Sequence, residues 1–319
     1  MENKVLNSAR RVAKQSRHVS IEQNAINYFC KDFSHQDIKH WLEEAPFDIQ
    51  TLNEEDRLNF MLVFNAISFS YWGEPKWTIE YHGKEYDGSW AMIACIARAI
   101  EEEKPILDSK YLASISEDEF ADILRGSVEI PLFKQRWEIL REVGQVLNNK
   151  FDGEFKNLVQ SAEGDALKLV QIIIDNFSGF EDAAEYKSEP VYFYKRSQLL
   201  VADIYQAFQG KGLSDLKNIN LLTACADYKL PQMLRKMGIT KYSDELADKV
   251  DRYREIPSGS EEEVEIRANT IWATELIRQQ LKNSIPDISS IHVNDHLWLI
   301  SQTKSSTTKP YHRTRTTAY

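Results

Sequence analysis

Ionisable residues that interrupt apolar helical stripes are the first candidates for chemistry in this sequence. Lys195 and Asp203 are eight residues apart in a helix-forming stretch, with Leu199 and Ala202 between them. At about 100° per residue their side chains would lie roughly 80° apart and two turns along one helix, so they could form one wall of a pocket. A charge within a core must be paired, hydrogen-bonded or used. The alternative is a surface arrangement, in which the lysine reaches solvent and Asp203 pairs with Arg196.

Asp227 is the second candidate, because it ends the apolar run LLTACAD four residues before Pro231. Proline disfavours a helical conformation at the residue before it, so we expect a helix, a break and a second helix here. A carboxylate beside such a break could face a cavity while backbone groups hold it. It could equally cap the following helix, and the sequence leaves both roles open.

Large aromatic residues accompany these ionisable groups. Flat side chains of this kind can stack on a heterocyclic base, although most aromatic residues simply form the core. The aromatic candidates are Trp90, Tyr194, Tyr228 and Trp272. Glu265 is a further candidate for the site. Its structural alternative is an ion pair within its own helix.

Several common catalytic patterns are missing from the sequence. The seven histidines are scattered without a metal-binding pattern such as HExxH, and His18 is as readily a hydrogen-bonded structural residue as a functional one. No GxxxxGK[ST], GxGxxG or GxSxG motif is present, so phosphoryl transfer, dinucleotide chemistry and serine hydrolysis lack their usual sequence support. We therefore expect no metal and no cofactor, and carboxylate chemistry in a helical pocket remains.

Helical periodicity dominates the elements that must position these residues, and it predicts a mainly α fold with one small β-hairpin. The hairpin is expected in WTIEYHGKEYDGSW, where apolar residues alternate and His82-Gly83 supplies the turn. A buried helix should follow it, with Ser89 as the N-cap. The helix that carries Lys195 is expected to start at a Ser188 cap, with Pro190 in its first turn.

The overall composition indicates one compact, soluble body. The chain has 319 residues, 42% of them hydrophobic and 28% charged, and no repeat or flexible linker divides residues 1–302. Residues 303–319, TKSSTTKPYHRTRTTAY, are polar and basic, and we expect them to form a flexible, dispensable tail.

Charge and cysteine content bear on partners and compartment. A formal net charge of -10 argues against attraction to a nucleic-acid backbone. No stretch has the length and apolarity of a signal peptide or a membrane span, and three widely spaced cysteines suit a reducing compartment. We expect a cytoplasmic protein without a membrane partner.

A series of segments, in a fixed order and spacing, carries a family resemblance. They are SARRVAKQSRHVSI, YDGSWAMIACIARAIEEEKPILDSKYLASIS, LREVGQVL, FYKRSQLLVADIYQAF, ADYKLPQML, EVEIRANTIWATELI and HVNDHLWLISQ. The most specific are FYKR-x-Q and ADY-x-x-PQ. Across nearly everything before the tail, the chain resembles the queuosine salvage protein family, also called queuosine 5'-phosphate N-glycosylase/hydrolase.

The resemblance implies an all-helical fold similar to the helix-hairpin-helix DNA glycosylases, without the glycine-rich hairpin that binds DNA in those enzymes. It also implies one pocket for queuosine 5'-phosphate and hydrolysis of its N-glycosidic bond, which releases queuine and ribose 5-phosphate. We expect a monomer that acts on this small nucleotide and not on nucleic acid. The rival hypotheses are a nucleic-acid base glycosylase or damaged-base binding protein with the same fold, and a non-catalytic helical protein.

The family's catalytic lysine and aspartate fall on Lys195 and Asp227. In this interpretation Asp227 meets the positive charge that develops on the ribose, and Lys195 keeps Asp227 ionised or neutralises the leaving base or the 5'-phosphate. The proton donor to the base stays open. Residues expected to bind substrate are His18, Trp90, Arg196, Asp203, Tyr228, Gln232, Glu265 and Trp272.

Overall fold

The computed structural model describes residues 3–303 and 308–319, and α-helices make up most of them. The helices are α1 (Lys4–Gln15), α2 (Gln23–Asp32), α3 (Glu54–Ile67), α4 (Gly88–Glu101), α5 (Ser109–Ser114), α6 (Glu117–Ile123), α7 (Phe133–Lys150), α8 (Phe155–Ser161), α9 (Ala166–Asn176), α10 (Lys195–Ala207), α11 (Lys229–Lys236), α12 (Asp244–Asp251), α13 (Glu261–Leu281) and α14 (Ser290–Ser301). The prediction of a mainly α fold is confirmed. The likeness to helix-hairpin-helix DNA glycosylases stays a prediction.

Short strands pair two by two, always antiparallel. The pairs are β1 (Val19–Ile21) with β6 (Thr240–Tyr242), β2 (Thr78–Tyr81) with β3 (Lys84–Asp87), and β4 (Ala183–Tyr186) with β5 (Glu189–Tyr192). They connect helices and do not form a layer of their own.

The predicted hairpin is the β2–β3 pair. Its turn residues His82 and Gly83 both have positive φ, 49° and 74°, as a two-residue hairpin turn requires. Helix α4 follows directly, but Asp87 occupies the N-cap position and Ser89 lies within the first turn. The expected capping role of Ser89 is therefore wrong, and its side chain is free to face a cavity.

A second hairpin, β4–β5, replaces the expected start of the Lys195 helix. Ser188 has a φ of 62° in the hairpin turn, and Pro190 lies on β5 opposite Glu185. Val191 on that strand is fully buried against α1 and α13, and this burial outweighs the local preference of a serine and a proline for a helix start. Helix α10 begins at Lys195, after Tyr194 in a left-handed conformation.

Pro231 does not break a helix, contrary to our expectation. It lies in the first turn of α11, where its missing N–H would have no acceptor within the helix. The segment before it, LLTACAD, contains no helix beyond a 3₁₀ turn at Ile219–Leu221, and residues 222–227 run through the interior as buried irregular chain. Asp227 therefore lies at the start of a helix and not between two helices.

Helix α10 passes through the centre of the molecule. Eleven of its thirteen residues are buried, so every polar side chain on it must find a partner inside the protein or face a cavity. It packs against α3 and α9, and its apolar residues join the largest hydrophobic core. The long helix α13 packs against α1 and α14.

Residues 308–319 pack on this body, so the expectation of a flexible tail is wrong for them. The backbone N–H of Ser70 donates to the carbonyl oxygen of Tyr319 at 2.8 Å, and Trp72 Nε1 donates to the carbonyl of Thr314 at 3.1 Å. The guanidinium groups of Arg313 and Arg315 lie over the Trp72 ring, 5.7 and 3.5 Å from its centre. Residues 304–307, the rest of the expected tail, lie outside the described residues.

No helix in residues 3–303 or 308–319 has the length and apolarity needed to cross a membrane.

Candidate active site

Two adjoining cavities open at the N-terminal end of α10. Counting the space that is open to solvent, the outer chamber has an empty volume of about 640 Å³ and the inner chamber about 390 Å³. Both are lined by Ser68, Ser89, Lys195, Asp227 and Trp298. The two residues predicted to be catalytic thus stand where the chambers meet.

The two chambers differ in chemistry. The further lining residues of the outer chamber are Phe69, Tyr71, Trp72, Lys76, Trp77, Asp87, Gly88, Tyr228, Lys229, Gln302, Tyr311 and Tyr319. Those of the inner chamber are Trp41, Phe64, Leu199, Cys225, Leu230, Asn294 and Asp295. The outer chamber therefore combines cations with aromatic rings, and the inner chamber has apolar walls with an amide and a carboxylate.

Asp227 both caps a helix and faces the cavity, the two roles that the sequence left open. Its Oδ1 accepts the backbone N–H groups of Lys229 at 2.7 Å and Leu230 at 2.9 Å, at the start of α11. No described residue donates a hydrogen bond to Oδ2. The side chain is only 8% exposed, so the carboxylate is held rigidly with one oxygen available to a ligand.

Lys195 is the first residue of α10 and is 7% exposed. Its backbone N–H donates to Asp182 Oδ2 at 3.0 Å, which fixes the start of the helix. Within the described ranges, Nζ has neither a hydrogen bond nor an ion pair. The ammonium group is thus directed into the cavity without a partner.

Burial brings the proton affinities of these two groups closer together. It lowers the pKa of Lys195, and the nearby Asp227 carboxylate opposes this shift. It raises the pKa of Asp227, against the opposing effects of Lys195 and the two backbone N–H groups. Lys195 therefore lowers the pKa of Asp227 and favours the ionised carboxylate, as we expected. Burial raises that pKa by more than Lys195 lowers it.

Lys229 is the second cation of the outer chamber without an acidic ion-pair partner in the described structure. Its Nζ lies 5.5 Å from the centre of the Tyr311 ring, and burial lowers its pKa. Lys76, by contrast, pairs with Asp87 at 3.1 Å. Lys229 and Lys195 are consequently the groups ready to receive an anion.

The inner chamber, called the slot below, has aromatic walls and a polar end. Trp41 and Trp298 meet edge to face with their ring centres 5.2 Å apart. At the end of the slot, Asp295 accepts hydrogen bonds from the Asn294 side chain at 3.0 Å and from Gln206 at 3.3 Å. Such a slot suits a planar heterocycle that presents N–H groups.

Asp295 is fully buried, and this burial raises its pKa to about 6. Asp203 adds to the rise, whereas His40 and the side chains of Asn294 and Gln206 oppose it. The carboxyl group thus titrates within reach of neutral pH.

Comparison with known proteins identifies the family. The family model described as "Queuosine salvage protein" matches residues 48–319. This chain belongs to the queuosine salvage protein family. The match includes residues 308–319, which we had expected to lie outside the domain.

Full-length relatives agree with this assignment. A Sphaerobacter thermophilus protein named "Queuosine 5'-phosphate N-glycosylase/hydrolase" is 42% identical over 317 residues, covering 99% of this chain and 97% of the relative. A Mus musculus protein of the same name is 36% identical over 330 residues, covering 98% and 97%. A Dictyostelium discoideum protein, also of that name, is 31% identical over 320 residues, covering 97% and 96%.

Three of the expected substrate-binding residues lie in or next to the chambers of this family member. Tyr228 lines the outer chamber. Trp90 lies one layer behind the slot, stacked on Trp41 with 5.5 Å between ring centres. Asp203 is also behind the wall, where it accepts hydrogen bonds from Trp41 Nε1 and the Asn65 side chain, both at 2.9 Å. It is fully buried, so the surface alternative for Asp203 is wrong.

Arg196 turns away from the chambers although it neighbours Lys195. Its guanidinium donates to the backbone carbonyls of Asn65, Ala66 and Gly179, joining α3 to the chain before β4. Burial lowers its pKa to about 9. It therefore supports the wall of the site and does not line it.

Four further expected residues also lie outside the chamber lining. The Glu265 carboxylate accepts the backbone N–H of His18 at 2.6 Å, which anchors β1 to α13. Trp272 faces the Arg10 guanidinium at 5.3 Å. Gln232 donates to a backbone carbonyl of the C-terminal segment at 2.7 Å. The substrate-binding roles of these four residues, His18 included, stay predictions.

Sequence reasoning missed several lining residues. Asn294 and Asp295 interrupt the apolar side of α14, which is the same signal that drew attention to Asp203. Lys229 follows ADY directly and could have been chosen from the motif. Tyr311 and Tyr319 gave no signal, because they lie in a segment whose composition indicated disorder. Groups of three or more His, Cys, Asp or Glu that could bind a metal do not occur in the described ranges.

Proposed function

We propose that this chain hydrolyses the N-glycosidic bond of queuosine 5'-phosphate, with water as the second substrate and queuine and ribose 5-phosphate as products. The observation that carries the proposal is the position of Lys195 and Asp227 at the junction of two chambers, one lined by lysines and aromatic rings, the other by apolar walls with a polar end. Its near full-length relatives are named for this activity.

The chemistry of the chambers orients the substrate. The 7-deazapurine base enters the inner chamber, with its ring against Trp41 and Trp298 and its N–H edge toward Asp295. The 5'-phosphate stays in the outer chamber, where Lys229 has no acidic partner among the described residues. The ribose then spans the junction, and its C1' faces Asp227.

Asp227 stabilises the positive charge that develops on the sugar. As the bond to the base breaks, the ribose becomes oxocarbenium-like, and the free Oδ2 of a carboxylate held through Oδ1 stabilises that cation without reorganisation. The same oxygen takes a proton from the attacking water, whose oxygen forms the new bond to C1'.

Lys195 neutralises the negative charge that develops on the leaving base. A 7-deazapurine has carbon at position 7, so the leaving base must be protonated at another edge. The buried Lys195 ammonium has a lowered pKa and donates that proton more readily than an exposed lysine would. Proton transfer from the Asp227 carboxyl group back to Lys195 restores both groups, and the net reaction consumes one water.

We further propose that the chain works as a monomer in the cytoplasm on the free nucleotide and not on nucleic acid. Its net charge of -10 opposes binding to a phosphate backbone. Its three cysteines are unpaired, as a reducing compartment favours.

Incubation of the purified protein with queuosine 5'-phosphate tests the proposed function. Mass spectrometry should detect queuine and ribose 5-phosphate in equal amounts, growing linearly with enzyme concentration. A parallel reaction with tRNA or duplex DNA should release no base. Base release from the polymer without release from the nucleotide would overturn the proposal in favour of a nucleic-acid glycosylase.

A further inference from the structure

A buried arginine on α13 connects the chain segments that carry both candidate catalytic residues. Arg267 is 2% exposed, and its Nε donates to the backbone carbonyl of Ala226, directly before Asp227, at 3.1 Å. Its two terminal nitrogens donate to the two carboxylate oxygens of Asp182 at 2.8 and 2.6 Å. The guanidinium therefore uses three nitrogens to hold two separate parts of the chain.

Asp182 extends the connection to Lys195. Its Oδ2 accepts the backbone N–H of Lys195 at 3.0 Å. Its backbone carbonyl accepts the N–H groups of Phe193 at 3.0 Å and Tyr194 at 3.1 Å. The first residue of α10 is thus fixed to Asp182 by side chain and backbone together, and Asp182 is fixed to Arg267.

Other residues must set the distance between Lys195 and Asp227 at the chamber junction. Lys195 and Asp227 belong to different elements, and in the described structure their side chains form no hydrogen bond or ion pair with each other. Their separation must therefore be set by groups that hold their backbones. Arg267 and Asp182 together contact both backbones and so join the two residues through a chain of hydrogen bonds.

We propose that Arg267 is a positioning residue that, together with Asp182, sets the distance between the Lys195 ammonium and the Asp227 carboxylate. This inference rests on the proposed function, because it assigns Arg267 to the reaction of that pair. A buried cation paired with an acid adds little stability compared with well-packed apolar residues, so stability alone does not explain why an arginine occupies this position.

The C-terminal segment holds the arginine in this position. The guanidinium lies between the rings of Phe193 and Tyr319, at 3.9 and 4.4 Å from their centres. The Tyr319 hydroxyl donates to Glu263 at 2.8 Å, and Glu263 lies 3.6 Å from Arg267. Because Tyr319 also lines the outer chamber, the chamber wall and the positioning network share one residue.

Lysine cannot reproduce the contacts of Arg267. A guanidinium is a planar fork that binds both oxygens of a carboxylate and still has Nε for a third acceptor, whereas an ammonium is a single point charge. Arg267→Lys therefore keeps the positive charge and releases one of the two chain segments.

The matched control is Arg278→Lys on the same helix. Arg278 makes the same kind of two-point contact, to Glu275 at 2.8 and 2.7 Å, but lies nearer the surface and far along α13 from the chambers. Each variant is characterised by its melting temperature and by kcat and KM for queuosine 5'-phosphate across pH 5 to 9.

For Arg267→Lys we expect kcat to fall on the order of 10- to 100-fold with KM changed less than about threefold, because a displacement of about 1 Å between reacting groups has this effect. The pH profile of kcat should also shift, since the pKa values of Lys195 and Asp227 depend on their separation. Arg278→Lys should match the wild type in all three respects. Asp182→Asn, which keeps an acceptor for the Lys195 N–H but loses the charge that holds Arg267, should lower kcat similarly.

Each outcome decides the inference. A wild-type protein that releases no queuine defeats the proposed function, and the positioning role falls with it. An active wild type with a folded Arg267→Lys variant whose kcat and pH profile are unchanged overturns the positioning role alone. Loss of soluble protein in both Arg267→Lys and Asp182→Asn would assign the network to folding, which also overturns it.

Discussion

Replacing Asp227 by asparagine removes one negative charge from the chamber junction and leaves the helix cap in place. Asparagine keeps the side-chain oxygen that accepts the N–H groups of Lys229 and Leu230. Asparagine and aspartate are about equally good N-caps, so the free energy of unfolding should change by no more than about 1 kcal/mol. The perturbation is thus confined to the charge that faces the ribose.

The size of the effect follows from that charge. Two unit charges about 4 Å apart, in a buried site with an effective dielectric constant near 20, interact by about 4 kcal/mol. This interaction is gained only as the ribose becomes cationic, so its loss appears in kcat. At about 1.4 kcal/mol for each factor of ten, Asp227→Asn should lower kcat about 10³-fold.

Chromatographic measurement of queuine release gives kcat, and circular dichroism melts confirm the fold. The control is Asp87→Asn, an acid on the outer-chamber wall that pairs with Lys76 and has a side chain 44% exposed. It should change kcat at most a few-fold. A folded Asp227→Asn variant with a kcat within tenfold of the wild type would refute the charge argument and remove Asp227 from the mechanism.

Three further predictions concern substrate binding, pH and packing. Lys229→Met should raise KM for queuosine 5'-phosphate about 10- to 100-fold and leave kcat/KM for the unphosphorylated nucleoside nearly unchanged. The reason is that a charged hydrogen bond contributes about 1.5–3 kcal/mol to binding. Equal losses for both substrates would contradict this prediction. Burial raises the pKa of Asp295 from 3.8 to about 6, so this acid favours folding below pH 4 and loses that contribution as the pH rises through 6. Asp295→Asn should therefore flatten the dependence of the melting temperature on pH between 4 and 6, and an unchanged slope would exclude Asp295 as its source. Gly144→Ala should destabilise the protein by about 1–3 kcal/mol in urea titrations. The added Cβ would lie 2.6 Å from the Ser109 carbonyl oxygen and closer still to the Ala113 nitrogen. A variant as stable as the wild type would show that α5 and α7 move apart without a free-energy cost.

The sequence predicted those parts of the fold whose signals are local. Helical periodicity identified most helices, and the His82-Gly83 turn identified the β2–β3 hairpin. The β4–β5 hairpin was missed because its turn residues, Lys187 and Ser188, adopt positive φ without a glycine. A serine followed by a proline at position 190 then resembled a helix start, and only burial of the strand against distant helices decides between the two.

Motif and resemblance together selected Lys195, Asp227 and Tyr228, all of which line the outer chamber. The polar end of the inner slot depends on α14, about seventy positions after Asp227, so no local pattern joins Asp295 to the pair. Glu265, carried over as substrate-binding, is an ionisable residue in an apolar stripe whose carboxylate accepts the backbone N–H groups of Arg17, His18 and Val19. A single sequence cannot separate a buried carboxylate that anchors backbone from one that faces a ligand.

The chamber wall is built from contacts between residues very far apart in the chain. The backbone N–H of Thr316 donates to the Ser70 hydroxyl at 3.2 Å across 246 positions of sequence. Contacts of this kind are formed at high loop-closure entropy, and a short segment held at one edge is the part of a protein that opens first in mild denaturant. Ligand binding would therefore disappear at a lower urea concentration than the helical signal, and a saturating nucleotide would bring the two transitions together.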